Sequence, residues 1–208
     1  MASSSTSGIL NKIIQAVLAF LATIIGLYPL FYIIEDNFGM LGNKASPLLA
    51  SVTWNVAFYA HIMTGGLGLL TGWVQFNKRI RVATPVFHRN LGKLYIALAI
   101  CSSFSAAYLA FHAEGGWIAA TGFFTLALIW FTSTWQGYVS ILESRFVDHQ
   151  KWMVFSFAAC FAAVTLRILL PILVLIFNDF IQAYMLVAWL CWVPNMLVAV
   201  VLTKNMKE

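Results

Sequence analysis

The chain has 208 residues, 62% of them hydrophobic and 9% charged, with a net charge of +5. Soluble domains carry roughly 25% charged residues, so there is too little polar side chain here to coat a water-soluble globule. The basic excess sits in short loops between apolar runs, a pattern of membrane orientation and headgroup contact rather than of nucleic-acid binding.

Apolar runs of about 20 residues recur along the whole length, as transmembrane helices require. The expected fold class is all-α: an integral membrane bundle of six transmembrane helices with N- and C-termini cytoplasmic. A polar tail over residues 1–9 comes first. It is read as retained, because the run after Lys12 is too long for a signal-peptide core and no small-residue cleavage site follows. The six spans are expected at about 10–34, 48–76, 91–112, 117–142, 152–177 and 181–202, with a cytoplasmic tail over 203–208. Only "AEGG" joins the third and fourth spans and only "NDF" the fifth and sixth. Such short links make antiparallel neighbours.

With the N-terminus inside, Lys12, Lys78, Arg79, Arg81, Arg89, Lys93, Arg145, Lys151, Lys204 and Lys207 all fall on the cytoplasmic side. Lys44 falls outside, with Glu35, Asp36, Glu114 and Asp179, and Arg167 lies within a span. This asymmetry sets the orientation; the expected location is a plasma or inner membrane. Cys101, Cys160 and Cys191 lie far apart inside apolar segments, with no CxxC, and read as small buried hydrophobes.

The second span carries "HIMTGGLGLLTGWVQF". At 100° per residue, His61, Gly65, Gly68, Gly72 and Gln75 share one helix face. The glycines either let a neighbouring helix approach closely, with His61 bonding to it, or leave a groove for a flat ligand such as a porphyrin or quinone. The fifth span repeats the theme, with His149, Ser156, Cys160, Ala163 and Arg167 on one face if the helix is continuous. A guanidinium in hydrocarbon costs about 2.5–3.5 kcal/mol on insertion scales. Arg167 is therefore expected to turn inward toward acceptors or an anion, or else to snorkel to the headgroups. Asn55, Asn195, "CSSFS" and "TSTWQ" read as hydrogen-bonding glue between helices.

His88 and His149 open the third and fifth spans at similar depth on the cytoplasmic side. Two such imidazoles could ligate the iron of haem b, with Arg89 nearby for a propionate, or could cap helices and meet phosphates. As a zinc site they lack further ligands. His112 ends the third span outside, whereas His61 lies about 13 residues, ~20 Å, inward from that surface. The two are therefore not expected to pair.

Taken in order, "HIMTGGLGLLTGWVQF", "HRNLGKLY", "HQKWM" and "TLRILLP" resemble the DUF2306 family of predicted membrane proteins over about Ala50 to Pro171. The resemblance implies a multi-span bundle and marks His61, Gln75, His88, Arg89, His149, Trp152 and Arg167 as signature positions. It supplies no reaction. "HQKW" departs from the basic residue more usual directly after that histidine. A looser similarity is to cytochrome b561-like di-haem bundles, which is fold analogy only.

Three functions follow from these residues. One is a haem-binding electron-transfer protein working with quinone or a small reductant. Another is a small-molecule or anion carrier with a polar pathway lined by His61 and Arg167. The third is a non-catalytic bundle that binds lipid or a partner. Lysine-linked photochemistry lacks a lysine within a span, and intramembrane proteolysis lacks paired aspartates, GxSxG or HExxH.

Overall fold

The computed structural model describes residues 2–35, 39, 41 and 46–206. The expectations for Asp36, Lys44 and Lys207 lie outside them. The described residues form helices and turns, with no strand among them.

Helix α1 (Ala2–Leu27) tightens into a 3-10 turn at Tyr28–Leu30 before a short α2 (Phe31–Ile34). Pro29 sits in that turn, where it cannot donate a helical hydrogen bond. After α3 (Ser46–Leu49), helix α4 (Val52–Gln75) starts on Ser51, whose hydroxyl accepts the Trp54 N–H at 3.4 Å. Asn77 caps the short α5 (Lys78–Ala83), accepting the N–H groups of Arg79 and Ile80. Pro85 opens α6 (Pro85–Ala110) in the first turn, where its missing N–H costs nothing. Gly115 and Gly116, at φ +86° and +62°, make the left-handed turn into α7 (Gly116–Leu142). The remaining helices are α8 (Phe146–Cys160), α9 (Ala162–Phe177), α10 (Phe180–Leu190) and α11 (Val193–Thr203). Asn178 ends α9 in the left-handed region, and Asp179 caps α10 through the N–H groups of Ile181 and Gln182.

Among the described residues, five segments are long and apolar enough to cross a membrane: Ile13–Ile34, Pro85–Ala110, Gly116–Leu142, Phe146–Phe177 and Phe180–Thr203. Six were expected; the difference is α4. At 24 residues it is long enough, but its glycines, Asn55, His61 and Gln75 dilute its apolarity. Two boundaries also move. Helix α6 starts at Pro85, ahead of the span start expected at about residue 91, and carries His88 and Arg89 in its first turns. The fifth starts at Phe146 and breaks at Phe161, while Pro171 lies inside α9 without ending it. The sixth breaks at Cys191 and Trp192, just before Pro194.

The packing is inverted relative to a soluble protein. Buried positions are mostly small: Ala22, Ala99, Ala119, Ala127, Ala159, Ala162 and Ala188, with Ser102, Ser103, Ser133, Ser140 and Ser156. Large apolar residues such as Phe20, Ile33, Phe104, Leu175 and Val201 are exposed. Lipid is as apolar as leucine, so nothing drives large side chains inward, and small ones let the backbones approach and gain dispersion. Gly66 shows how close: a Cβ there would lie 2.6 Å from the Gly26 carbonyl oxygen.

Helix α4 lies antiparallel along α6. Gln75 meets His88 at one end, and His61 meets Ser102 fourteen residues further along both helices. Both broken spans are joined by one side chain. Asn195 Nδ2 donates to the Ala158 oxygen (3.3 Å) and the Cys191 oxygen (3.1 Å), and its Oδ1 accepts from the Thr165 hydroxyl (3.2 Å). It thus supplies donors to carbonyls on α8 and at the α10–α11 break, the need that interrupted helices create in lipid.

Candidate functional site

Between α1, α4, α6, α7, α8, α9 and α10 lies a cavity of about 710 Å³. Its wall is mainly apolar and aromatic, including Trp54, Phe58, Phe123, Leu126 and Trp130, with no Asp or Glu among the described residues lining it. Its polar members are Tyr28, Tyr32, His61, His112, Arg167 and Tyr184, together with the thiols of Cys160 and Cys191.

His61 and Arg167 enter at matching depth. His61 lies nine residues from Val52, and Arg167 ten from Phe177, at the same end of the bundle. At 1.5 Å per residue, both are about 14–15 Å in. The expected 13-residue depth for His61 shrinks because α4 begins at Val52 rather than at residue 48.

The partners of His61 assign its tautomer. Its Nδ1 lies 3.1 Å from the Ser102 carbonyl oxygen, which can only accept, so Nδ1 carries the proton. Ser102 Oγ lies 3.0 Å from the same nitrogen and donates to the His61 carbonyl at 3.0 Å. Nε2 is left with its lone pair and makes no hydrogen bond among the described residues. Arg167 turns inward. Its Nη1 donates to the Ala163 carbonyl at 3.0 Å, and its guanidinium carbon stands 4.5 Å from the centroid of the Tyr28 ring. A cation over an aromatic face gains about 0.5–2 kcal/mol, rising with desolvation. Among the described residues, no other guanidinium N–H has a hydrogen-bond partner and no carboxylate pairs with the guanidinium.

The glycine face of α4 divides. Gly65 lines the cavity with His61. Gly68 and Gly72 do not: a Cβ on Gly68 would meet Cys160 Sγ at 3.6 Å, and one on Gly72 would strike the Phe157 ring at 2.6 Å and Tyr95 at 2.9 Å. Both serve helix packing. Below them, Tyr95 OH and Ser156 Oγ lie 2.8 Å apart, Ser156 and Thr134 hydroxyls 2.7 Å, and Thr134 donates to the Trp130 carbonyl. This chain ties α6, α7 and α8 and ends on an acceptor, so it carries no proton onward.

Gln75, His88 and His149 gather at the opposite, basic end. With its amide placed to satisfy both ends, Gln75 donates to His88 Nδ1 (2.7 Å) and the His88 carbonyl (3.2 Å), and accepts from Gly92 N–H (3.3 Å). His88 Nδ1 is therefore an acceptor, and its proton sits on Nε2. His149 has the other tautomer, because its Nδ1 donates to the Gly137 carbonyl at 2.7 Å. The two rings lie within electrostatic reach of one another, one presenting a donor and one an acceptor. Arg89 is exposed, as is Trp152. Among the described residues, no three His, Cys, Asp or Glu side chains come together as a metal site would need.

His149 and Ser156 do not join the cavity, although Cys160, Ala163 and Arg167 do. Cys160 before the break at Phe161 and Ala163 and Arg167 after it still share the cavity, while Ser156 bonds Tyr95 and Thr134 and His149 bonds the Gly137 carbonyl. His112, expected to stand apart from His61, lines the same cavity. The sequence reading missed Tyr28, Tyr32 and Tyr184. The first two are one helical turn apart around Pro29, a spacing visible in the sequence.

Among curated proteins and among solved structures, no similar chain is found. The model of the DUF2306 family, described as a predicted membrane protein, matches residues 58–203, extending past the motifs to include the last broken span. With five apolar helices of spanning length and a family match over most of its length, the chain is an integral, multi-pass membrane protein and belongs to the DUF2306 family.

Proposed function

We propose that the protein binds a small, largely apolar molecule inside the membrane and acts as its carrier or receptor, with Arg167 and His61 holding the polar end of the guest. The observation that carries this reading is the guanidinium of Arg167. It is turned into an apolar cavity with one hydrogen bond, one aromatic face and no counter-ion among the described residues. An ionisable group held within a span is functional by default, and about 710 Å³ falls within the 300–1,000 Å³ of pockets that hold one drug-sized ligand. In this reading α4 is a sixth span. It pairs with α6 over fourteen residues, about 21 Å, and the six helices put both termini at the basic end.

A bis-histidine haem at His88 and His149 is the weaker reading. Iron takes a lone pair from each ring, and Gln75 leaves the proton of His88 on the nitrogen that would have to ligate. A quinone fits the cavity's size, yet it offers only acceptors, which suit Arg167 and leave His61 Nε2 facing another lone pair.

Native mass spectrometry of the detergent-purified protein after incubation with a bacterial polar-lipid extract tests the reading. The wild type should retain one apolar adduct per chain, and Ala106→Phe, which fills the cavity wall, should lose it while melting normally. A wild type that retains nothing, or a filled variant that retains as much, overturns it.

A further inference from the structure

We propose that the guest of this cavity is a single-chain amphiphile ending in a carboxylic acid, its head on Arg167 and His61 and its chain along the aromatic wall. The inference rests on the cavity being a binding site, as argued above, and adds the chemistry of the head group.

Three features select an acid. First, the cavity holds a permanent cation, with no carboxylate among its described lining residues. An anionic head would neutralise the site, whereas an amine would add to its charge. Second, the charged donor of the cavity is a guanidinium, whose planar fork matches the two oxygens of a carboxylate. Third, His61 presents a lone pair at Nε2, since Ser102 holds the proton on Nδ1. The un-ionised acid, the form that partitions readily through lipid, offers its O–H to that nitrogen and its carbonyl to Arg167. The ionised acid pairs with Arg167. An ester has neither the O–H nor the charge, an alcohol has no carbonyl, and a quinone has no donor. No covalent bond forms or breaks.

The rest of the cavity suits a chain. Beyond the two head-group residues the wall runs through Gly65, Leu69, Leu126 and Trp130. Pro29 and the 3-10 turn bring Tyr28 to the guanidinium. That ring covers one face of the cation and leaves its N–H edge for the ligand.

The test is saturable binding of tritiated palmitic acid to the full-length protein in dodecyl maltoside, with unlabelled palmitic acid, methyl palmitate, 1-hexadecanol and decylubiquinone as competitors. Palmitic acid should compete about tenfold or more better than the other three, the loss expected for removing a charge-assisted pair. Arg167→Gln should erase that preference. Arg167→Lys should keep part of it, and Ala106→Phe should block binding. If the ester, alcohol or quinone competes as well as the acid, the carboxylate assignment falls and the cavity reading stands. If none of the four binds saturably to a wild type that melts cooperatively, the cavity reading falls with it. Should Arg167→Gln not fold, Arg167→Lys and the competitor series decide the question.

Discussion

His61 Nδ1 stands 3.1 Å from the Ser102 carbonyl oxygen, and the Ser102 hydroxyl closes the pair by donating back to the His61 carbonyl at 3.0 Å. This reciprocal contact locks α4 to α6 and decides which ring nitrogen faces a guest. Nitrogen-15 spectra of histidine-labelled protein should show His61 as the neutral Nδ1–H tautomer. A proton on Nε2 would remove the acceptor from the cavity. Ser102→Ala should cost about 0.6–1.7 kcal/mol, the range of single interhelical hydrogen bonds in membranes. It should leave the tautomer unchanged, because the carbonyl remains.

Gln75 reads the opposite end of the same helix pair. Its amide assigns the acceptor role to His88 Nδ1. Protein purified from haem-replete cells is therefore expected to show no Soret band. A band that bleached in both His88→Ala and His149→Ala would refute the tautomer assignment.

Asn195 bridges the two interrupted spans, with contacts to Ala158, Thr165 and Cys191. Asn195→Leu should destabilise by about 1–3 kcal/mol, because it strands carbonyls that lipid cannot satisfy. Thr165→Val should cost less. Since the two side chains bond each other, the double variant should cost less than the two changes added together. Unfolding in mixed micelles measures all three, and strict additivity would show that the pair is not coupled.

Two glycines separate packing from propensity. Gly66→Ala places a Cβ 2.6 Å from the Gly26 carbonyl and 2.9 Å from Pro29, both fixed by backbone. A loss of about 1–3 kcal/mol is expected from overpacking. Gly92→Ala meets only the Gln75 side-chain amide, at 3.6 Å, and should be neutral or gain up to about 1 kcal/mol from helix propensity. Equal effects in thermal melts would mean that α1 and α4 are not pressed together at Gly26.

What can be read along one chain proved to be the membrane class, the family and the polar exceptions. Apolar runs and the basic loops carry the first, since hydropathy and length are summed over a segment and need no partner. The motifs from His61 to Pro171 carry the second. An imidazole at 61 and a guanidinium at 167 stand out because each is costly in hydrocarbon wherever it points. The link residues Gly115, Gly116, Asn178 and Asp179 announce their turns for the same local reason.

Only the tertiary structure decided what those groups face. The glycine stripe became cavity at Gly65 and packing at Gly68 and Gly72, because Phe157, Tyr95 and Trp130 reach in from other helices. The break in the fifth span fell at Phe161, ten residues before Pro171, and the nearby Ala158 carbonyl is bonded by an asparagine 37 positions away. The three tyrosines of the cavity and the histidine tautomers follow from where a partner helix places a ring or a carbonyl. Contacts across a bundle depend on register and crossing geometry between helices, and a one-dimensional pattern of apolar and polar residues does not encode either.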